Sequence, residues 1–427
     1  MFKPFRRITY VEDALNIFLK NIRVKVKETE IIPLEDALNR VLGEDIIAKY
    51  DIPPFDRAAM DGYAVRSMDV ISASEDNPIA LKVVGEARIG YPYRGVIGKE
   101  EAVKIDTGAK LPEGADAVIP IEYVNVIGNN YVEVLRAVTP FDNVSKKGED
   151  VKRGTIILKA GILLEPWDLA LIKSVGYRSI KVLRRVRVAL MSVGDELIEG
   201  FDETTIREGK IIDTNRFMIK SALKKFGCEV VDLGIARDDI NEIKEKMLSA
   251  MKYADMLITI GGTSVGERDY VPQAINLLGK PGIIIHGITA SPGRPLALSI
   301  INDFPIVSLP GFPVAALIDF MIFVPPIIEK ILGIRGERIL PRIKAKLGRR
   351  VFSKPGVRHY VRVKLSKVDD ELIAEPIRIT GSGILSSIVR ADGILEVPED
   401  LEGYEKGTEV DVILLRNRIG DNDEEDL

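Results

Sequence analysis

A multidomain chain, α/β at its centre and all-β on either side, is the fold class this sequence predicts, and three observations predict it. At 427 residues it exceeds what one hydrophobic core can organise, so two to four domains are expected. From Val186 to about residue 336, strand-like and helix-like runs alternate across tight glycine turns, the pattern of a doubly wound sheet. Before and after that stretch, short runs of period two lie between Gly, Pro and Asn turns, the pattern of small β modules.

Taken in order, VEDALNIFLKNI and LEDALNRVLG give helical periodicity twice between residues 11 and 43, and Asp51-Ile-Pro-Pro ends it. IALKVVGE, EAVKIDTG, ADAVIPIEYV and YVEVLRAV follow as strands of a small barrel or sandwich. TIILKAGILLEPWDLALIKSVG mixes a strand with a helix and is expected to pack with the early helices as a discontinuous linker. The α/β stretch runs VRVALMSVG, the helix FMIKSALKKFG, CEVVDLG, the helix DINEIKEKMLSAMK, ADMLITIGG, a helix near Val271 to Leu278, GIIIHG, PIVSLPG and a long helix from Val314. RIKAKLGRRV, HYVRVKLSKV, ELIAEPIRI, GILEVP and EVDVILL then form a second β module, and an acidic, disordered tail closes the chain.

Composition excludes several functions. A net charge of −4 offers no field for nucleic acid or an anionic membrane, and the basic clusters alternate with apolar residues as solvated strand faces do. One cysteine, Cys228, allows no internal disulfide framework, and His286 and His359 provide no Cys/His cluster for zinc, which fits a cytoplasmic protein. No signal peptide is expected, and no stretch reaches the roughly 18 apolar residues of a membrane span. A single glutamine with abundant Ile, Lys and Glu is a composition typical of heat-adapted proteins.

The chemistry is expected where strands end. Ala254 to Pro272 is an apolar strand running into Gly261, Gly262, Thr263 and Ser264, a turn whose amides can approach phosphate closely. Glu196, Asp238 and Asp269 each fall just past a strand, and in a parallel sheet those ends share one edge. Acids beside anion-binding amides make sense when Mg²⁺ joins them to a phosphorylated ligand; singly, each could as well cap the next helix, Asp239 with Glu242 forming a capping-box pattern. SPGRP, with Gly293 and Arg294, and LPGFPV, with Pro310, Gly311 and Pro313, are stiffened turns, the second opening a helix whose dipole favours anions. Gly262 to Gly266 also matches a G-x-S-x-G nucleophile elbow, but only two histidines could serve Ser264, and Glu267 and Asp269 disfavour an oxyanion beside it. Asp61 in AAMDGYA and Thr107 in DTGAKLPEGA lie in loops whose spacing alone does not connect them to this edge.

AAMDGYAV, DTGAKLPEGADAV, KKGEDV, SVGDEL, DLGIARDD, GGTSVGERDY, SPGRP, LPGFPV and ITGSGILSS occur in the order seen in molybdopterin molybdenumtransferases, and the chain resembles that family, which includes the C-terminal domain of gephyrin, over nearly its whole length. The resemblance implies an enzyme that takes adenylylated molybdopterin and molybdate, breaks the phosphoanhydride with Mg²⁺ and releases AMP. It implies four domains: a discontinuous linker (residues 25–47 and 155–182), a barrel-like β domain (48–154), the α/β molybdopterin-binding domain (1–24 and 183–336) and a C-terminal β barrel (337–418), with residues 419–427 as tail. It further implies a homodimer with the site at the interface, where Asp61 and Thr107 reach across to Glu196, Asp238 and Asp269, the latter three holding the metal. Asp150 falls on a family motif, and Arg358 and Ser382 match positions expected to touch phosphate or the oxyanion. A molybdopterin adenylyltransferase would supply the substrate, and molybdo- or tungsto-apoenzymes would receive the product.

Three positions depart from the family. Ser291 stands where many relatives have lysine before Pro-Gly, Gly287 stands at an upstream lysine position, and Phe312 replaces Asn or Tyr. Losing two cations weakens oxyanion capture unless Arg294, Arg358 or Arg362 compensates, and points to tungstate or a differently built pocket. An adenylyltransferase or nucleotide pyrophosphatase on the same core, and a pterin-binding scaffold without turnover, are the alternatives.

Overall fold

The computed structural model describes residues 8–201, 203–207, 209–263, 270–336, 338–378 and 381–416. The chain forms two compact units, Met1–Thr29 with Leu183–Leu427, and Glu30–Val182.

In the first unit, helix α1 (Val11–Asn21) precedes an alternating series: β1 (Arg187–Val193), α2 (Thr214–Lys225), β2 (Glu229–Ala236), α3 (Ile240–Tyr253), β3 (Met256–Ile260), α4 (Tyr270–Leu278), β4 (Pro281–His286), β5 (Ala297–Ile301), β6 (Phe304–Leu309) and α5 (Pro313–Leu332). The sheet order is β2-β1-β3-β6-β5-β4. Strands β2, β1, β3 and β6 are parallel, while β5 is antiparallel to both β6 and β4. The β5 strand, ALSII, is absent from the sequence expectation because it directly follows the SPGRP turn and forms a tight hairpin with β6, its residues Asn302 and Asp303 both at positive φ. Only β5 is reversed, so the carboxyl ends of β1, β2, β3, β4 and β6 share one edge.

Both faces of this sheet are covered, which explains the unbroken apolar runs. On β1, Val188 and Leu190 pack with α1, α2 and α5 through Phe18, Ile219, Leu223, Phe320 and Phe323. The intervening Ala189, Met191 and Val193 pack with α3 and α4 through Ile243, Met247, Val271 and Ile275. Each such aliphatic side chain removed from water contributes about 1.5–3 kcal/mol. Helix α5 ends at Gly333, whose φ of 64° closes it in a left-handed cap. Among the described residues no helix is long and apolar enough to cross a membrane.

The remainder of the first unit is a closed barrel of β7 (Arg342–Leu347), β8 (Arg358–Val368), β9 (Glu371–Arg378), β10 (Gly393–Val397) and β11 (Glu409–Leu414). Ladders run β8-β9-β7-β11-β10, and β10 pairs with β8 to close the ring. Val361, Val363, Leu365, Ala374, Leu395 and Val412 fill it. The short strand Ala290–Ser291 pairs with Arg358 and His359 of β8, fastening a loop of the α/β domain to the barrel.

In the second unit, strands lie in the order Ala117–Pro120, Gly62–Val65, Glu101–Ile105, Ile79–Ala87, Tyr131–Val134, Val124–Ile127. The two end strands are joined by only the 3-10 turn Ile121–Tyr123. Three residues reach about 10 Å at most, so the sheet curls until its ends nearly meet. Strands Ile46–Ile47 and Ile156–Leu158 pair beside helix Pro166–Ser174, around Leu42, Ile46, Leu164, Ile172 and Val182. The helix expected over LEDALNRVLG is one 3-10 turn, Leu34–Asp36. Asn39 takes a φ of 59°, and the N–H groups of Asn39, Leu42 and Gly43 donate to Leu164, Ile162 and Lys181 rather than along a helix. Tertiary pairing here overrides a weak helical propensity.

Candidate functional site at the sheet edge

Parallel pairing of β1 with β2 and β3 brings the turns after Val193, Ala236 and Ile260 side by side. Asp195 N–H donates to Asp238 Oδ2 (3.3 Å) and Asp238 N–H donates to Asp195 Oδ1 (3.2 Å), locking two of these turns together. Glu196 folds back over the end of β1: a Cβ on Gly194 would lie 2.7 Å from Glu196 Oε1. The capping role sketched for this region belongs to the next residue, since Asp239 Oδ1 accepts from both Asn241 and Glu242 at 2.9 Å. Asp238 is therefore relieved of capping and faces the edge with Asp195 and Glu196.

Gly261 and Gly262 have φ of 87° and 65°, and a Cβ on Gly261 would come within 2.6 Å of Val193 O. Glycine is required there by both conformation and space. Gly261 N–H donates to Leu309 O (3.0 Å), and Gly311 packs against the Gly261 Cα, so the β3 and β6 turns are in contact. Thr263 is buried, and His286 Nε2 lies 3.1 Å from its carbonyl oxygen. A carbonyl can only accept, so that nitrogen carries the proton and is not the base a nucleophilic Ser264 would need. Ser264 and Asp269 lie outside the described residues.

The LPGFPV turn is engaged more fully than its sequence suggests. Pro313 has no N–H, and Val314 N–H donates to Ser382 O (3.0 Å), so Ser382 meets this helix terminus through its backbone. Asn215 Nδ2 donates to Gly311 O (2.6 Å) from the other side, and Pro310 is buried beneath. Phe312 is exposed and lies over Gly383. Gly293 is buried while Arg294 beside it is exposed, with no ion-pair partner among the described residues.

Arg358 does not offer its charge to a ligand. Its guanidinium meets Glu399 at 2.9 Å, Glu12 at 3.0 Å and Glu396 at 3.1 Å, and its N–H donates to Thr289 O at 2.7 Å. Three carboxylates satisfy its fork, so the side chain ties α1 to the barrel, while its backbone N–H holds the 287–296 loop.

Sequence reasoning missed Asp195, Lys210 and Asn215. Lys210 Nζ donates to Asp195 O (2.6 Å) and places a cation next to the acids. Asp213 caps α2 by accepting from Arg216 N, which aims Asn215 at Gly311. The Asp before a helical run in DTNRFMIK was the available signal. Among the described residues no group of three or more His, Cys, Asp or Glu forms a preformed metal cage.

In the second unit the two orphan loops meet. Asp61 Oδ1 accepts from both the N–H (2.6 Å) and the hydroxyl (2.7 Å) of Thr107. Thr107 N–H, then its hydroxyl, holds the Asp61 carboxyl below the usual carboxylate range, so an exposed carboxylate is fixed in one orientation. Gly62 lies so close to Ile119 O that no side chain fits, which sets this turn against its neighbour. Asp150 is exposed, its N–H donating to Ile52 O.

Three family models match consecutive parts of the chain: the MoeA N-terminal region (domain I and II) over residues 9–176, a probable molybdopterin binding domain over 189–330, and the MoeA C-terminal region (domain IV) over 344–415. The chain is 33% identical to the molybdopterin molybdenumtransferase of Bacillus subtilis, covering 93% of this chain and 92% of that one. It is 32% identical to the enzyme of the same name from Haemophilus influenzae, covering 92% and 95%. The crystal structure of a molybdopterin biosynthesis moeA protein from Pyrococcus horikoshii OT3 superposes with a TM-score of 0.81 at 35% identity, covering 96% of this chain and all of that one.

Proposed function

The chain belongs to the molybdopterin molybdenumtransferase family, and from that premise we propose that it inserts molybdate or tungstate into adenylylated molybdopterin and releases AMP, the last step of molybdenum cofactor biosynthesis. The observation that supports this reading is the interlocking of the Asp195 and Asp238 turns at the same sheet edge as the Gly261-Gly262 turn, which is itself in contact with Gly311. Glycine turns suit a pyrophosphate, and acids share a site with phosphate only when a cation lies between them.

The donor set fits Mg²⁺. Asp195 Oδ1 and Asp238 Oδ2 accept the cross-loop N–H groups, and the second oxygen of each has no protein donor among the described residues. Few carboxylates in an open arrangement suit an ion that keeps water and substrate phosphates as ligands. Asp195 and Asp238 would hold it with Glu196, and with Asp269, which lies outside the described residues. When bound, it would offset the charge that develops as the phosphoanhydride breaks.

The protein's own groups then position the reactants. The glycine turns admit the phosphates, Lys210 steadies the Asp195 loop, and Arg294 orients the oxyanion. Asp61, preset by Thr107, completes the site of a partner subunit in a homodimer. The protein acts in the cytoplasm, where a molybdopterin adenylyltransferase supplies the substrate and molybdo- or tungsto-apoenzymes take the product.

The test is oxyanion-stimulated AMP release by the purified protein, with Asp238→Asn and Asp61→Asn alongside. Both variants should lose at least about a hundredfold in rate while remaining folded, the scale at which positioned charges act. An unimpaired Asp238→Asn would remove the edge from the mechanism, and pterin binding without AMP release by the wild type would favour a scaffold.

A further inference from the structure

Directly beneath the SPGRP turn lies a side chain that nothing above uses. Asp319, six residues into α5, is fully buried, and neither carboxyl oxygen has a hydrogen-bond partner among the described residues. It presses against Gly293, whose φ is 117°: a Cβ there would overlap Asp319 Oδ1 and stand 2.9 Å from Cγ and 3.1 Å from Oδ2. The turn is fixed around that contact, with Leu296 N–H donating to Gly293 O (3.2 Å) and Ile288 N–H donating to Arg294 O (3.0 Å).

An ionised carboxylate without donors in such a place costs several kcal/mol, so the group is held as the neutral acid. Burial accordingly drives its pKa well above the ordinary carboxyl range. No neighbouring charge among the described residues offsets this. The residues of α1 and α2 that share its core, Ala14, Phe18, Ile219 and Leu223, are apolar. From β8 the facing titratable group is the buried phenol of Tyr360, itself pushed up by burial and by Glu396. Beyond it Arg358 is engaged by Glu12, Glu396 and Glu399, and the buried Arg362 makes no hydrogen bond to the carboxyl. The turn itself contributes Arg294, which is exposed.

We propose that Asp319 is a positioning residue for the anion site of the Ser291–Pro295 turn, a neutral acid packed under Gly293 whose proton keeps the floor of that site uncharged. The proposal rests on the reading that this turn receives the oxyanion. A neutral acid fills the space beneath the turn without repelling an anion above it. Loss of the proton would set a negative charge against the Gly293 Cα, in a loop that carries Ser291 and Gly287 and only Arg294 as a cation. Anion capture and protonation of Asp319 therefore favour each other, and by linkage each strengthens the other equally.

Two measurements on the full chain test this. Infrared difference spectra between wild type and Asp319→Asn at neutral pH should show the carbonyl stretch of an un-ionised carboxylic acid in the wild type alone. Calorimetric titration with tungstate and molybdate between pH 6 and 10 should give a wild-type affinity that falls by up to about tenfold per pH unit above the acid's titration point. Asp319→Asn should bind like the low-pH wild type with a flatter profile, while Arg294→Gln should bind weakly throughout. Absence of the carboxylic band, or the same pH profile in wild type and Asp319→Asn, would overturn the proposal. If the band is present but the wild type binds neither oxyanion, the assignment of the turn as an anion site fails, and the positioning role fails with it.

Discussion

Replacing Arg358 by methionine separates two roles for this residue, the phosphate contact that motif position implies and the tether that its neighbours define. Methionine keeps most of the apolar stem and removes the guanidinium. Glu399 and Glu396, whose side chains are 13% and 16% exposed, then lose a cation at 2.9 and 3.1 Å. Glu396 retains Arg342 at 2.8 Å, whereas Glu399 keeps no ion pair among the described residues. Breaking a fully buried pair costs about 3–5 kcal/mol, and residual hydration lowers that here to about 2–4 kcal/mol. Glu12, 74% exposed, adds under about 1 kcal/mol. At roughly 2–4 °C per kcal/mol, the midpoint for the first unit should drop by about 4–16 °C. Denaturation monitored by circular dichroism measures this, and Arg358→Met with Glu399→Gln should recover at least half of the loss because the stranded charge is gone. Wild-type stability in Arg358→Met, with a tenfold or greater loss in oxyanion affinity, would instead make the guanidinium a ligand contact and refute the tether.

Gly261→Ala should destabilise the α/β domain by about 2 kcal/mol or more, since its φ of 87° is unfavourable for alanine and the new Cβ meets Val193 O, with a lowered denaturation midpoint as readout. Thr107→Val should cut AMP release while leaving the fold intact, because the Asp61 carboxylate loses its hydroxyl donor but keeps the N–H of residue 107; a rate equal to wild type would show that the hydroxyl has no positioning role. Asp319 gives a signed pH effect on stability. Its folded pKa is raised, so below about pH 4 both folded and unfolded forms are protonated, and above that the unfolded state releases the proton first. Stability is then lost at up to about 1.4 kcal/mol per pH unit until the folded group titrates. Asp319→Asn should therefore raise the urea midpoint at pH 8 more than at pH 4, and an equal shift at both would show an acid ionised in the folded state.

Much of this protein was legible along the chain because the signals were local. Apolar runs, glycine turns and 3.6-residue periodicity located β1 to β3 and α1 to α5, and the fall of acids just past strands marked Glu196 and Asp238 as edge residues. The second early helix failed because LEDALNRVLG has the period of a helix while its N–H groups find carbonyl partners in residues far along the chain, at Ile162, Leu164 and Lys181. The β5 hairpin escaped because ALSII is short and adjoins a turn already marked for its glycine and prolines.

Composition, periodicity and turn chemistry are properties of neighbours in sequence, and they determined the alternating α/β stretch, the glycine turns and the candidate acids. Tertiary structure alone decided which groups remain available, because a hydrogen bond or ion pair depends on who arrives from elsewhere in the chain. Asp239 rather than Asp238 caps α3, Ser382 O occupies the first N–H of α5, Arg358 is saturated by acids from two regions, and Thr107 fixes Asp61 from 46 residues away. Nor could sequence show that Asp319, an acid in the largely apolar α5, lies against Gly293 without a hydrogen-bond partner among the described residues, since burial is a property of the packed molecule.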